Sequence, residues 1–206
     1  IAMQDLDIRG AGNLLGAEQS GFIMDMGFET YQKILSEAME ELGVESGIVQ
    51  KSDRDSFTTD CTVETDQQAL IPDDYIDITA EKIRIYKQLD SLGSDKEIEL
   101  FKVQLADRFG KLTPEVENLF EVVKIRNAGA LLGFEKVIVK NGMFIAFFIS
   151  NQMSPYFRTD TFSRILEKVN EGTCNLELKQ SEGKLKLITR KVDSLQKARS
   201  ILSKLE

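Results

Sequence analysis

The sequence predicts an α+β fold: an N-terminal helical hairpin, then helices and a four-stranded antiparallel sheet with helices packed on it. Three observations predict it. Apolar residues recur at helical spacing between clear cap signals over residues 79–133. Two turn signals, Asn141-Gly142 and Glu182-Gly183, each join a pair of short apolar or alternating runs. The last third repeats hairpin–helix–hairpin–helix, and two helices on one face of a single sheet is its simplest closure.

The elements follow in order. Asn13 to Gln19 reads as a short helix between glycines, and Phe28 to Leu42 as a clearer one. In the latter, Phe28, Tyr31, Ile34, Leu35, Ala38, Met39 and Leu42 share one face, and Gly43 is placed to end it. The two helices make a hairpin joined by Ser20 to Gly27. Residues 43–56 are polar and have no apolar period, so a linker is expected there, with one domain over 1–50 and another over 51–206. Phe57 to Thr65 alternates and is rich in Thr, which favours an extended strand. Leu70 to Ile76 turns at Pro72.

Three helices come next. Thr79 to Leu92 carries Ile83, Ile85, Tyr86 and Leu89, and Thr79 with Lys82 is only an imperfect capping pair. Ser94 with Glu97 makes a proper capping box for a helix through Leu100, Phe101, Val103, Leu105 and Ala106 to Phe109, with Gly110 as its stop. Thr113-Pro114-Glu115 supplies an N-cap, a proline at the first helical position and an acid in the first turn, and that helix ends near Leu132-Gly133. Phe134–Val139 and Met143–Ile149 then form the first hairpin, and Ser154–Val169 a helix. Asn175–Lys179 and Lys184–Thr189 form the second hairpin, and Asp193 is expected to cap a final helix to Leu205.

Composition narrows the function. The chain has 206 residues and a net charge of −8, with an ordinary apolar fraction. No apolar run is long enough for a membrane span, and no signal peptide opens the chain, because Asp5, Asp7 and Arg9 interrupt it. The start at Ile1 leads us to expect a fragment of a longer protein, and the composition a cytoplasmic one. With no histidine, His-based triads and His metal sites are excluded. There is no Walker A loop, so no nucleotide cradle and no catalytic centre are expected in this chain. Cys61 and Cys174 lack metal-ligand neighbours and read as reduced thiols. Residues 1–50 carry 2 basic and 9 acidic groups, whereas residues 134–206 carry 13 and 8. The acidic front argues against non-specific nucleic-acid binding, and the scattered cations of the tail read as a solvated surface.

Few clusters could do chemistry. Asp73-Asp74 with Asp77 lies at a proline turn and reads as solvated or capping rather than as a metal site. Asp107-Arg108-Phe109-Gly110 reads as a helix end with a cation beside the last carbonyls, or as a polar contact for a partner. Residues 5–21 are the densest signal: Gly10, Gly12, Gly16 and Gly21 surround Arg9 and Gln19. Glycines at that density permit close backbone approach. A lone guanidinium between tight turns suits a fixed polar contact. A tightly packed helical hairpin with no further role is the alternative reading of the pattern alone.

The string Asp5-Leu6-Asp7-Ile8-Arg9-Gly10-Ala11-Gly12, followed by Leu15-Gly16 and Gln19-Ser20-Gly21, resembles the translocation motif shared by the RecG helicase and the bacterial transcription-repair coupling factors (Mfd). Gly27-Phe28, Tyr31, Leu35, Leu70 to Ile76, Arg84, Tyr86-Lys87 and Asp107-Arg108-Phe109-Gly110 with Pro114 resemble the C-terminal domain of the coupling factors alone. The resemblance weakens after about residue 133. It implies a piece of an ATP-dependent double-stranded DNA translocase that displaces stalled RNA polymerase and recruits UvrA in excision repair. ATP and Mg would then belong to motor lobes outside this chain. Arg9, Gln19, Gly10, Gly12 and Gly16 fall on positions that couple ATP hydrolysis to translocation. Asp107 and Arg108 fall on an intramolecular interface with a UvrB-like module that covers the UvrA-binding surface. Gln104 stands where an acid is common in the family. A stand-alone protein- or nucleic-acid-interaction module is the alternative.

Overall fold

The computed structural model describes Gly27, Thr30, Tyr31, residues 61–181 and residues 183–206. Its elements are β1 (Thr62–Thr65), α1 (Thr79–Ser91), α2 (Asp95–Phe109), α3 (Pro114–Leu131), β2 (Phe134–Lys140), β3 (Met143–Phe148), α4 (Asp160–Asn170), β4 (Glu177–Ser181), β5 (Lys184–Arg190) and α5 (Leu195–Ser203). Short 3-10 turns at Pro155–Arg158 and Thr173–Asn175 flank α4. The α+β class stands. The hairpin expected over residues 1–50 and the division near residue 50 lie outside the described residues, apart from Gly27, Thr30 and Tyr31. Gly27 bridges Leu70, and Tyr31 stacks on Tyr86 at 5.3 Å.

The sheet corrects one expectation. It has five strands, not four, in the order β1-β2-β3-β5-β4. The two hairpins are antiparallel, as their turn residues predict, and β3 pairs β5 antiparallel. Asn141 (φ 52) and Gly142 (φ 68) both occupy the left-handed region that a two-residue hairpin turn demands. The fifth strand, β1, pairs β2 in parallel with Val63 opposite Val137. Parallel pairing needs a long crossover, and here α1, α2 and α3 together provide it. That strand is legible in the sequence as an extended run, but its partner is not, because the partner lies more than sixty residues away.

Helix α3 covers β1 and β2 on the inner face, and its approach is very close. A Cβ built on Gly129 would lie 2.7 Å from Cys61 Sγ and 3.4 Å from Val137 Cγ2, so only glycine fits there without movement. The core continues through Phe120, Val123, Ile125, Phe134, Phe144 and Phe148, all essentially without exposure. Phe162 of α4 meets Phe148 edge-on at 5.4 Å, which seats α4 against the same face. Buried Leu195, Ala198, Ile201 and Leu202 pack α5 on α3.

The caps follow local chemistry with three corrections. Helix α1 has no side-chain cap: its N-cap is Ile78, and Thr79 is already helical. Ser94 and Glu97 form the expected capping box, and Thr113 accepts the Val116 N–H. The last helix, however, is capped by Ser194, whose Oγ accepts the Lys197 N–H at 3.2 Å. Asp193 instead ion-pairs Lys197 at 2.7 Å. The helix expected over 154–169 is broken: Ser154 caps the 3-10 turn at Pro155, and Thr159 caps α4 afresh by accepting the Phe162 N–H at 3.3 Å. Two hydroxyl caps five residues apart favour two short helices over one.

Alternation also sorts the sheet's outer face. Lys136 and Lys140 on β2, Lys179 on β4, and Lys184, Lys186 and Arg190 on β5 occupy the positions opposite to the buried Val137, Val139, Leu187 and Thr189. Six of the thirteen cations of residues 134–206, scattered in the sequence, thus gather on one solvent-facing side of the sheet.

Candidate regulatory interface on the second helix

Helix α2 carries the residues singled out near its C-terminus. Its inner face is set by buried Ile98 and Leu105, with Phe101 against Phe120 at 6.2 Å. The opposite face carries Leu100, Val103, Gln104 and Asp107, spaced i, i+3, i+4 and i+7, so one stripe holds all four. Leu100 is 64% and Val103 67% exposed, unusually high for large apolar side chains. Gln104 and Asp107 are also exposed. The stripe is thus two apolar side chains beside an amide and a carboxylate.

Arg108 sits in the last turn, where a cation complements the helix C-terminus. Its Nη1 donates to Glu81 Oε1 on α1 at 2.6 Å, and its guanidinium carbon lies 4.7 Å from the Phe109 ring centre. The side chain remains 58% exposed, so further N–H groups face outward. A pair this exposed contributes at most about 1 kcal/mol and can be exchanged for another carboxylate at little cost.

Neighbouring contacts hold this surface in place. Lys82, buried on α1, ion-pairs Asp73, an acid that stays half exposed to solvent. Arg126 of α3 pairs Asp90, and Asn127 Nδ2 donates to Leu92 O at 2.9 Å, tying the end of α1 to α3. Tyr86 accepts the Ile71 N–H at 3.1 Å, and burial pushes its phenol up to about 12. Tyr75 donates to Gly110 O at 3.1 Å and packs on Phe109, which pins the loop after α2. Among the described residues no cluster of three or more acids or thiols is placed to hold a metal ion.

Comparison with known proteins places this arrangement. Residues 65–158, from the end of β1 to the 3-10 turn before α4, match the TRCF domain family. The transcription-repair-coupling factor of Rickettsia typhi is 34% identical over 193 residues, 94% of this chain and 16% of that protein. The Bacillus subtilis factor is 44% identical over 126 residues, 61% of this chain and 10% of that protein.

The chain belongs to the transcription-repair-coupling factor family.

A crystal structure of the C-terminal domain of a transcription-repair coupling factor shares the fold, with a TM-score of 0.56 at 20% identity, covering 73% of this chain and 97% of that one. The chain spans about 15–16% of the length of the first curated relatives it matches. Within the TRCF domain lie α1, α2, α3 and the first hairpin, hence the whole α2 stripe and its brace. The structure brings Gln104, Asp107 and Arg108 to one end of one helix. Arg9, Gly10, Gly12, Gly16 and Gln19 lie outside the described residues.

Two features were not drawn from the sequence. Leu100 and Val103 read there as part of an apolar helix, yet they face solvent. A helical wheel separates them from Ile98, Phe101 and Leu105, and that second apolar arc was the available signal. Glu81 as the partner of Arg108 had no sequence signal, because the pair joins different helices. No helix among the described residues is long and apolar enough to cross a membrane.

Proposed function

We propose that this chain is the C-terminal part of an ATP-driven double-stranded DNA translocase that displaces stalled RNA polymerase and recruits UvrA. Residues 1–50 couple ATP hydrolysis in motor lobes elsewhere in the parent, which would hold ATP and Mg, to movement. Residues 51–206 dock on a UvrB-like module of the same protein and keep its UvrA-binding surface covered. The observation that carries the docking reading is the α2 stripe: exposed Leu100, Val103, Gln104 and Asp107, with Arg108 at its end. An interface of two apolar contacts and a few exposed charges suits a contact that must open, since each exposed pair adds little net energy. Release of such a clamp is a shift between two populations, and UvrA binding would draw on the open one.

Charge reversal tests it. In the parent protein, Asp107→Arg should raise UvrA capture at least severalfold in a pull-down without DNA. Unchanged capture would refute the docking role. The coupling role of the first segment is tested separately, by Arg9→Ala in the parent. DNA-stimulated ATP hydrolysis should persist while polymerase displacement falls, and full displacement would exclude that role for Arg9.

A further inference from the structure

We infer that the outer face of the sheet binds single-stranded nucleic acid, with Phe147 as a stacking platform among lysines. The reading stands apart from the α2 interface, which lies in another layer of the fold.

The register lays the face out in rungs. One runs Thr62, Lys136, Phe147, Lys186 and Lys179 across β1, β2, β3, β5 and β4. The next runs Glu64, Ile138, Ile145, Ile188 and Glu177. A third holds Lys140, Met143 and Arg190, and Lys184 stands at the end of β5. The single aromatic ring is therefore flanked by a lysine on each neighbouring strand. Lys186 Nζ lies 5.6 Å from its centroid, within cation–π range.

Charge selects the partner. The strands present six cations and three carboxylates on this face, Glu135 among them because the bulge in β2 turns both Glu135 and Lys136 away from buried Phe134 and Val137. Glu64 is shared by Lys136 and Lys140, and Glu177 pairs Lys179. Among the described residues no carboxylate lies within ion-pair distance of Lys184, Lys186 or Arg190. Lys184 and Arg190 are exposed, Arg190 acts on Glu177 through space, and half-buried Lys186 donates to Ser181 Oγ at 3.2 Å. The chain as a whole carries −8, which makes this local reversal a directed feature. The apolar side chains of the face are only partly exposed, and the strongly exposed positions along its β4 and β5 edge are mostly charged. A helix of a partner protein would need apolar side chains standing proud. A phosphate chain needs cations around a flat surface.

Geometry selects the form. A duplex is read by an element that enters a groove, an α-helix or a two-stranded ribbon. A broad sheet face cannot enter one. It can take unstacked bases laid flat, one of them on the exposed part of Phe147, with phosphates tracking the lysines.

The test uses the whole 206-residue chain and fluorescein-labelled dT20 in anisotropy titrations. Binding should weaken as salt rises, with a log–log slope of about −2 if three cations each neutralise a phosphate. Lys184→Glu with Lys186→Glu should reduce affinity at least tenfold and flatten the slope. Phe147→Ala should reduce affinity about 5- to 100-fold and leave the slope unchanged. Phe147→Leu repeats that measurement with the apolar bulk kept, should the alanine variant fail to fold. Arg164→Glu, on the exposed side of α4, should change nothing. The inference is overturned by absence of binding at low salt, by an equal effect of Arg164→Glu, or by affinity indifferent to Phe147. Equal competition by a duplex of the same length, or by polyglutamate, overturns it too.

Discussion

Replacing Gly129 by alanine should destabilise the protein through one contact. The new Cβ would sit 2.7 Å from Cys61 Sγ, about 1 Å inside an ordinary contact. Cys61 has no exposure and lies under α3, so either the sulfur or the helix must shift to admit the new atom. Overpacking of this kind costs about 1–3 kcal/mol. Alanine returns about 1 kcal/mol through its better helix propensity. The net loss is then about 0–2 kcal/mol, or a fall in Tm of up to about 8 °C for a domain of this size. Cys61→Ala removes the offending atom. The remaining Cβ contacts, 3.4 Å to Val137 Cγ2 and 3.6 Å to Cys61 Cβ, are no closer than van der Waals contact. In that background Gly129→Ala should be neutral or stabilising by up to about 1 kcal/mol. Urea unfolding of the wild type, both single variants and the double variant, followed by far-UV circular dichroism, measures the coupling directly. Equal changes in the two backgrounds would refute the close approach of α3 to β1.

Two further outcomes follow from buried and half-buried charge. Asp73→Ala should cost about 1–3 kcal/mol by stripping buried Lys82 of its carboxylate, whereas Lys82→Met should be nearly neutral, as thermal melts of both variants would show. Hydrogen bonding from Lys136 holds the Glu64 carboxyl below its ordinary value of 4.5, against partial desolvation, and Lys140 adds to the effect. A depressed folded pKa stabilises fully above 4.5 and loses that contribution as pH falls through the folded value. Wild type should therefore exceed Glu64→Gln by about 0.5–1 kcal/mol at neutral pH, and the gap should close only below about pH 4.5. A gap unchanged at pH 3 in denaturant titrations would contradict the pairing.

Much of the fold is legible because it is made by neighbours in the chain. The Ser94–Glu97 box, the Thr113-Pro114 start and the Asn141-Gly142 turn act over a few residues, and the structure has each of them. Local chemistry also explains two of the boundary errors. Asp193 and Ser194 are both competent caps, and geometry chose the hydroxyl. Ser154 and Thr159 compete for one helix and split it. The candidate site was legible as residues, Gln104, Asp107 and Arg108, but not as a surface. Its apolar members and the Glu81 brace depend on which side of α2 meets the core.

By itself the sequence determined the class of fold, the Ser94 and Thr113 caps, the hairpin turns and the family, because each rests on residue types at short spacing. Only the tertiary structure decided that β1 joins the sheet in parallel, that Leu100 and Val103 face outward, and that six scattered cations share one face. The reason is range. Strand pairing and helix docking join residues dozens of positions apart, and their free energy comes from burial that no local pattern records.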